Sequence, residues 1–472
     1  MSRLLNLGRV APTDPRLLSG AVLLQAALIA GPALWDVRYM GLLSGLLVAA
    51  GLALFSVRRT LVLALLASVV LPEKVLTLLI LPGGLRLPEG LLVAAAGFAL
   101  VDLVHARGLQ VRPSGADLPV LAFLAVTVLS ALVGVLHGNL TSVVLRDLRF
   151  PLYYGVFFLV TQFFDGRAVL RMLLPALIAG GLAVSGEYVL EFLGAIDLSM
   201  GSRFVRVARL EGVVLPVALL FVVNQFVHAP GKYGRPALGA AFLLLSLAFV
   251  LTVGRGMWVA FAIGLVASVV LWHLGRPREQ RQTGRAVLAI AALLIGLAGA
   301  VLLFQRTTGA AVGAHALERS RTFVDLTRDV HVLGRLSSYL TTGEAVVRHP
   351  LLGSGQGATL WFLGFDQELN RFESTEAWTV DNLYLALAWK MGLVGLAVFL
   401  WLGGRITRLA IRLFRAAPDP ESRAFAGGAV ATLVGMAAFG LSDAAMVSGR
   451  LALVFGILFG MVAVAHRDLR GG

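Results

Sequence analysis

Apolar runs of roughly 18 to 23 residues recur along this chain, and at about 1.5 Å per helical residue each can cross a hydrocarbon core of about 30 Å. Few folds remain open to such a sequence. Membrane strands alternate lipid-facing and lumen-facing residues. These runs do not alternate, so the backbone has to satisfy its polar groups within helices. The expected fold is therefore all-α, a polytopic transmembrane helical bundle of about 12–14 spans. Those spans fall near 17–35, 40–57, 60–82, 88–105, 118–137, 150–164, 168–194, 212–228, 236–253, 257–274, 286–304, 380–403, 425–446 and 451–466. Pro72-Glu73-Lys74 interrupts the third and marks a kink or a re-entrant turn. The first ends at Pro32-Ala33-Leu34-Trp35 without a small-residue cleavage site and reads as a retained helix. The whole chain, 1–472, is expected to form a single transmembrane domain, with 305–379 as a loop inserted in it.

A formal net charge of +14 would suit a nucleic-acid surface, but the cations are placed for another purpose. Arg58-Arg59, Arg107 and Arg112, Arg167 and Arg171, Lys232 and Arg235, Arg276 to Arg285, and Arg405 to Arg423 all fall on one side of the membrane under this span order. By the positive-inside rule that side is cytoplasmic, and both termini lie there. The charge thus expresses topology, and no nucleic-acid partner is expected. With no cysteine in the chain, disulfides, thiolate metal sites and cysteine nucleophiles are excluded.

The positive-inside rule leaves Arg146, Arg149, Arg203, Arg206, Arg209, Arg255, Arg319, Arg321, Arg328 and Arg335 unexplained, on the opposite face. Singly, such an arginine can snorkel at a span end or hold an anion. As a set on one face they favour an anionic ligand, and guanidinium forks suit phosphate. Arg255 sits in Thr252-Val253-Gly254-Arg255-Gly256, a tight outward turn between two apolar runs. Arg209 has a similar setting before Pro216, where it either binds an anion or pairs with Glu211.

Residues 305–379 are the one extramembrane stretch large enough for a fold of its own, and the expectation is a helical periplasmic loop. From Arg335 to Arg348 the pattern is that of an amphipathic helix at the interface. His349-Pro350-Leu-Leu-Gly353-Ser-Gly355-Gln-Gly357 ends it. That glycine-rich turn is either a backbone hook for a polar headgroup or a helix breaker; it is not a P-loop, since no Gly-Lys-Ser/Thr follows.

Arg335 with His349-Pro350-Leu351-Leu352-Gly353-Ser354-Gly355, and Asp381-Asn382-x9-Gly392-x-x-Gly395, resemble the signatures of the O-antigen ligase and O-antigen polymerase superfamily, the WaaL and Wzy proteins. Gly254-Arg255-Gly256-Met257-Trp258 is similar to the family's Ser-Arg-Gly turn, with a weaker likeness around Arg209 and Pro216, while residues 1–190 add only the span pattern. The resemblance implies a GT-C-like glycosyltransferase of the bacterial inner membrane. It would take a polyprenyl-diphosphate-linked oligosaccharide as donor and pass the glycan, with inversion, to an acceptor hydroxyl at the periplasmic face. No nucleotide sugar, metal or other cofactor is implied. Arg209, Arg255 and Arg335 would hold the diphosphate and stabilise charge on the leaving group. Gly353, Gly355 and His349 would line the neighbouring turn, with Asn382 and Tyr384 on the substrate side. A membrane lipid, a chain-length regulator and a flippase are the further partners it suggests.

One departure stands out. The ligases carry a histidine where this chain has Asp381, and that histidine is thought to activate the acceptor hydroxyl. Asp381 can serve as general base if burial raises its pKa, or it can simply cap the helix that follows. His349 could supply an imidazole, and Glu344, Asp366 and Glu376 are reserve carboxylates. The missing histidine favours a polymerase joining lipid-linked repeat units over a ligase. A solute transporter is a third reading, but no inverted repeat is visible and the cations sit at one face rather than at mid-membrane.

Overall fold

The computed structural model describes residues 56–77, 80–81, 85–105, 112–196, 210–252, 254–274, 283–308, 330–366, 371–447, 449 and 451–471. The expected span at 17–35 and nearly all of that at 40–57 lie outside these, as do Arg203, Arg206, Arg209, Arg319, Arg321 and Arg328. The protein is a polytopic, overwhelmingly helical bundle, and seven of its described helices are long and apolar enough to cross a membrane.

The chain begins with α1 (Val57–Val70), which stops at Leu71-Pro72. A single helical turn at Glu73–Leu76 and a two-residue hairpin, β1 (Ile80–Leu81) with β2 (Leu85–Arg86), follow. Of the readings open for Pro72, the structure has a break: the helix ends before the proline. Next come α2 (Leu87–His105), α3 (Asp117–Leu136), the amphipathic α4 (Thr141–Leu152) and, after a 3₁₀ turn at Tyr153–Gly155, α5 (Val156–Phe163). Further along are α6 (Gly166–Phe192), α7 (Val214–His228), α8 (Arg235–Leu251), α9 (Arg255–Leu274) and α10 (Thr283–Thr308). The loop carries α11 (Val330–Arg348) and a hairpin of β3 (Leu360–Asp366) and β4 (Arg371–Ala377). Last are α12 (Leu383–Ala416), α13 (Pro420–Phe439) and α14 (Leu451–Gly471).

The hairpin departs from the expectation of an all-helical loop. Trp361, Leu363, Ser374 and Glu376 face one another in register, Trp361 with Glu376 and Leu363 with Ser374. Trp361, Phe362 and Phe365 on β3 and Phe372 and Thr375 on β4 favour strand over helix, with Phe362 opposite Thr375 and Phe365 opposite Phe372, and the two strands are short enough to be carried by α11, against which β3 packs.

Two helices form the centre. Every residue of α7 from Val214 to Gln225 is buried, and so is α14 from Leu451 to Val464, which is the mark of a helix with neighbours on all sides. Around them α13 supplies a small-residue face. A Cβ at Gly435 would come 2.5 Å from the Ala260 carbonyl oxygen, so α9 and α13 pack backbone to backbone.

Polar groups gather at two levels of the bundle. At one, Arg58 pairs with Asp165 (3.2 Å), Lys232 with Glu421 (2.6 Å), and Arg405 Nε donates to the Gly115 carbonyl (2.7 Å). At the other, Glu73 N donates to Glu211 (3.1 Å), Tyr154 to the Met446 carbonyl (2.9 Å), and Arg335 meets Asp381. The connections that hold Arg58, Lys232 and Arg405 are those assigned by sequence to one face, and the second level holds the candidate site.

Candidate active site

The site is built at the start of α12. Asn382 has extended backbone angles, and its side-chain oxygen accepts from the amides of Tyr384 and Leu385, each at 3.0 Å, while Nδ2 donates to the Leu441 carbonyl at 3.1 Å. Asn382 is therefore the helix cap. That removes capping as the role of Asp381, whose carboxylate instead takes Arg335 Nε at 3.2 Å. Both partners are about half exposed, 43% and 56%, and an ion pair this wet contributes only about 0–1 kcal/mol to stability. The pair positions charge more than it holds the fold.

One helical turn beyond Arg335, Tyr339 donates to the Asp381 carbonyl (2.6 Å) and lies 3.2 Å from that of Leu441. Positions i and i+4 of α11 thus reach the same residue. The turn after α13 is drawn in as well, since Leu383 N donates to the Gly440 carbonyl at 2.7 Å. This turn brings a carboxyl that the sequence reading missed. Asp443 accepts from Ala445 N at 2.7 Å, and burial, reinforced by the negative Asp381, pushes its pKa up to about 6; the Ala445 hydrogen bond and Arg335 oppose the rise. The expected span 425–446 had placed Asp443 inside a helix, whereas α13 stops at Phe439. A carboxylate in an apparently continuous apolar run was the available signal.

Arg255 opens α9 beside the same turn. A Cβ at Gly256 would lie 2.5 Å from Ser442 Oγ, so the helix can start against residues 439–442 because residue 256 has no side chain. Arg335, Asp381 and Asp443 therefore come together at one turn, and the start of α9, which carries Arg255, packs against the same turn. Arg209 lies outside the described residues; Glu211 is buried and accepts from Glu73 N.

The glycine motifs turn out to be one device. α12 is broken at Gly392, which has φ 68° and ψ −178°. Above the break, the Trp389 and Lys390 carbonyls accept from Ser354 N (2.7 Å) and Gly355 N (3.1 Å), and Ser130 Oγ also donates to Lys390 (2.6 Å). Below it, Leu393 N donates to Pro350 (2.8 Å) and Val394 N to Leu351 (3.3 Å). A break in a helix orphans carbonyls on one side and amides on the other. Here the turn 349–357 satisfies both sets. Gly353 and Gly355, with φ 72° and 84°, are buried, and the close approach they permit is taken up by the backbones of α12 and α3. A Cβ at Gly392 would collide with the Leu351 carbonyl. Gly392→Ala should therefore lose about 2–4 kcal/mol of stability, read as a lower melting temperature and poorer yield of the purified protein. An unchanged melting curve would show that the break is not held as described.

Among the other expected site residues, Tyr384 donates to the Ala437 carbonyl at 2.5 Å, bracing α12 on α13. His349 lies with its ring 5.0 Å from that of His137, and among the described residues no contact joins it to Asp381. Glu344 pairs with Arg348 along α11 (3.6 Å), Glu376 faces Trp361 across the hairpin, and Asp366 ends β3. Arg149 is tied to Glu89 (3.2 Å), while Arg146 touches Asp147 (3.3 Å) and lies over the Trp378 ring (4.7 Å). Lys390, which the sequence reading did not single out, also pairs with Asp147. These ties hold α4 to its neighbours, while Arg335 lies beside the carboxyl pair and Arg255 opens α9 against the turn that leads to Asp443.

Residues 240–400 match the Wzy_C family model, whose description is O-antigen ligase. The matched stretch holds Arg255, Arg335, the 349–357 turn, Asp381, Asn382 and Gly392, and stops short of Asp443. No curated protein matches the chain.

Proposed function

We propose, starting from the match of residues 240–400 to the O-antigen ligase family model, that the protein transfers a glycan from a polyprenyl-diphosphate donor to an acceptor hydroxyl at the membrane face bearing Asp381. The observation that carries the proposal is the grouping of Arg335 with Asp381 and Asp443 at the turn 439–443, against which the helix opened by Arg255 also starts. Arg255 and Arg335, joined by Arg209, hold the diphosphate. A donor diphosphate competes with Asp381 for Arg335 and so frees the carboxylate. The acceptor oxygen then attacks the anomeric carbon while the bond to the diphosphate oxygen breaks. The acceptor proton passes to the Asp381–Asp443 pair, and the lipid diphosphate leaves with one more negative charge against the guanidinium groups. A single displacement inverts the anomeric centre. Fixed guanidinium charges here do what a metal ion does in other transferases, so the proposed reaction needs no metal.

Asp443, with its pKa pushed up to about 6, makes the carboxyl pair a suitable proton acceptor without histidine. Such a site suits a polymerase that adds one lipid-linked repeat unit to another, and the whole chain acts as one transmembrane domain with 305–379 as its outer insertion. By the positive-inside rule the arginine-rich connections support a reading with both termini in the bacterial cytoplasm and the site on the periplasmic side of the inner membrane. The family description favours a second reading, a ligase that passes the finished glycan to a lipid acceptor. Purified protein given a lipid-diphosphate-linked repeat unit alone should produce a ladder of longer glycans. Transfer that occurs once, and only when a second acceptor lipid is added, would select the ligase reading; no transfer in either case would remove both.

A further inference from the structure

At the level of the bundle opposite Arg335 and Asp381, a cavity of about 560 Å³ opens between the start of α3 and the second half of α12. Pro113, Gly115, Asp117 and Leu118 line one side and Trp401, Gly404, Arg405 and Arg408 the other. Arg405 lies at the level of the Arg58–Asp165 and Lys232–Glu421 pairs, among the arginine-rich connections. Two arginines thus sit at headgroup level, with Leu118 and Leu400 on the apolar side of them and Trp401, 46% exposed, where interfacial aromatics belong.

The cavity is cationic, and its charge is not used internally. Asp117, its carboxylate, is occupied in accepting from Ser114 N (2.7 Å) and Ser114 Oγ (2.8 Å). Arg405 spends Nε on the Gly115 carbonyl, and among the described residues Arg408 has no hydrogen-bond or ion-pair partner. Open space lies beside Gly404, where a Cβ would meet nothing within 4 Å. Positive-inside topology explains why arginines occur at this level, but not why two of them line a concavity with a tryptophan and a glycine.

We infer that this cavity binds the phosphodiester headgroup of an anionic phospholipid, with Arg405 and Arg408 as its phosphate contacts and the groove beside Leu118 and Leu400 taking an acyl chain. Basic pockets between membrane helices on the cytoplasmic side recognise such headgroups. The inference is independent of the transfer reaction at the other level.

Native mass spectrometry of the full chain in detergent, with phosphatidylglycerol or phosphatidylcholine of matched acyl chains, tests it. The wild-type protein should retain the anionic lipid at least about tenfold more strongly than the zwitterionic one. Arg408→Ala should weaken that retention about fivefold, the effect of one interfacial arginine. Gly404→Leu fills the groove with a better helix former and should abolish the preference while the melting temperature holds. Equal retention of the two lipids, or a preference that survives both substitutions, overturns the proposal. Displacement of the lipid by millimolar inorganic phosphate also overturns it, in favour of a soluble anion.

Discussion

Arg335→Ala should lower the initial rate of glycan transfer about 10²–10³-fold, the usual loss when one donor to a developing oxyanion is removed. The measurement is turnover of a lipid-diphosphate-linked repeat unit by purified protein. Abundance and melting temperature should stay near wild type, because the half-exposed pair with Asp381 contributes about 0–1 kcal/mol. This contrast between rate and stability separates charge stabilisation from architecture. Arg335→Lys should recover little, since an ammonium keeps the charge but loses the fork that matches a phosphate. A fall of less than about tenfold in Arg335→Ala would remove this residue from the leaving-group site.

The second large effect concerns the carboxyl pair. Asp381→Asn should cost about 10²–10⁴ in turnover, the range for loss of a general base. Asparagine leaves the cap of α12 undisturbed, because Asn382 makes the capping bonds. Wild-type turnover should rise with pH through about 6 and level off above it, since the pair accepts a proton only when ionised and Asp443 is the member pushed up to about 6. Residual activity in Asp381→Asn should show its inflection at lower pH, because Asp443 has lost the negative neighbour that helps to raise it. Asp443→Asn should abolish the step near 6. Full activity in Asp381→Asn, or a flat profile between pH 5 and 8 in the wild type, would be incompatible with this assignment.

The bundle was legible because lipid imposes one rule on every span, and apolar runs report it directly. Ends of helices were harder to read. Leu71-Pro72 and Phe439 terminate helices inside runs that hydropathy joins, and the second of these hid Asp443. The hairpin at 360–377 was not legible because Leu360 to Phe365 is a near-continuous apolar run, which periodicity does not distinguish from a buried helix segment. In the site itself Arg335, Arg255 and Asp381 could be found by placement on one face, whereas Asn382 could not be told from its neighbour as the cap, since Asp and Asn are nearly equivalent there. The glycines at 353 and 355 were visible, but their partner was not: a backbone that approaches a ligand and one that approaches another helix need the same missing side chain.

The broken helix also sets an angular requirement. Nine residues separate Asn382 from Gly392, and the far end of that short half-helix is pinned by the turn that leads directly out of α11, the helix carrying Arg335. Each helical residue turns the chain by about 100°, so adding or deleting one residue in this interval would rotate Asp381 away from the guanidinium while every local contact at the break stayed intact. The spacing behaves as a phase lock, with its reference at Gly392 and its readout at the carboxylate.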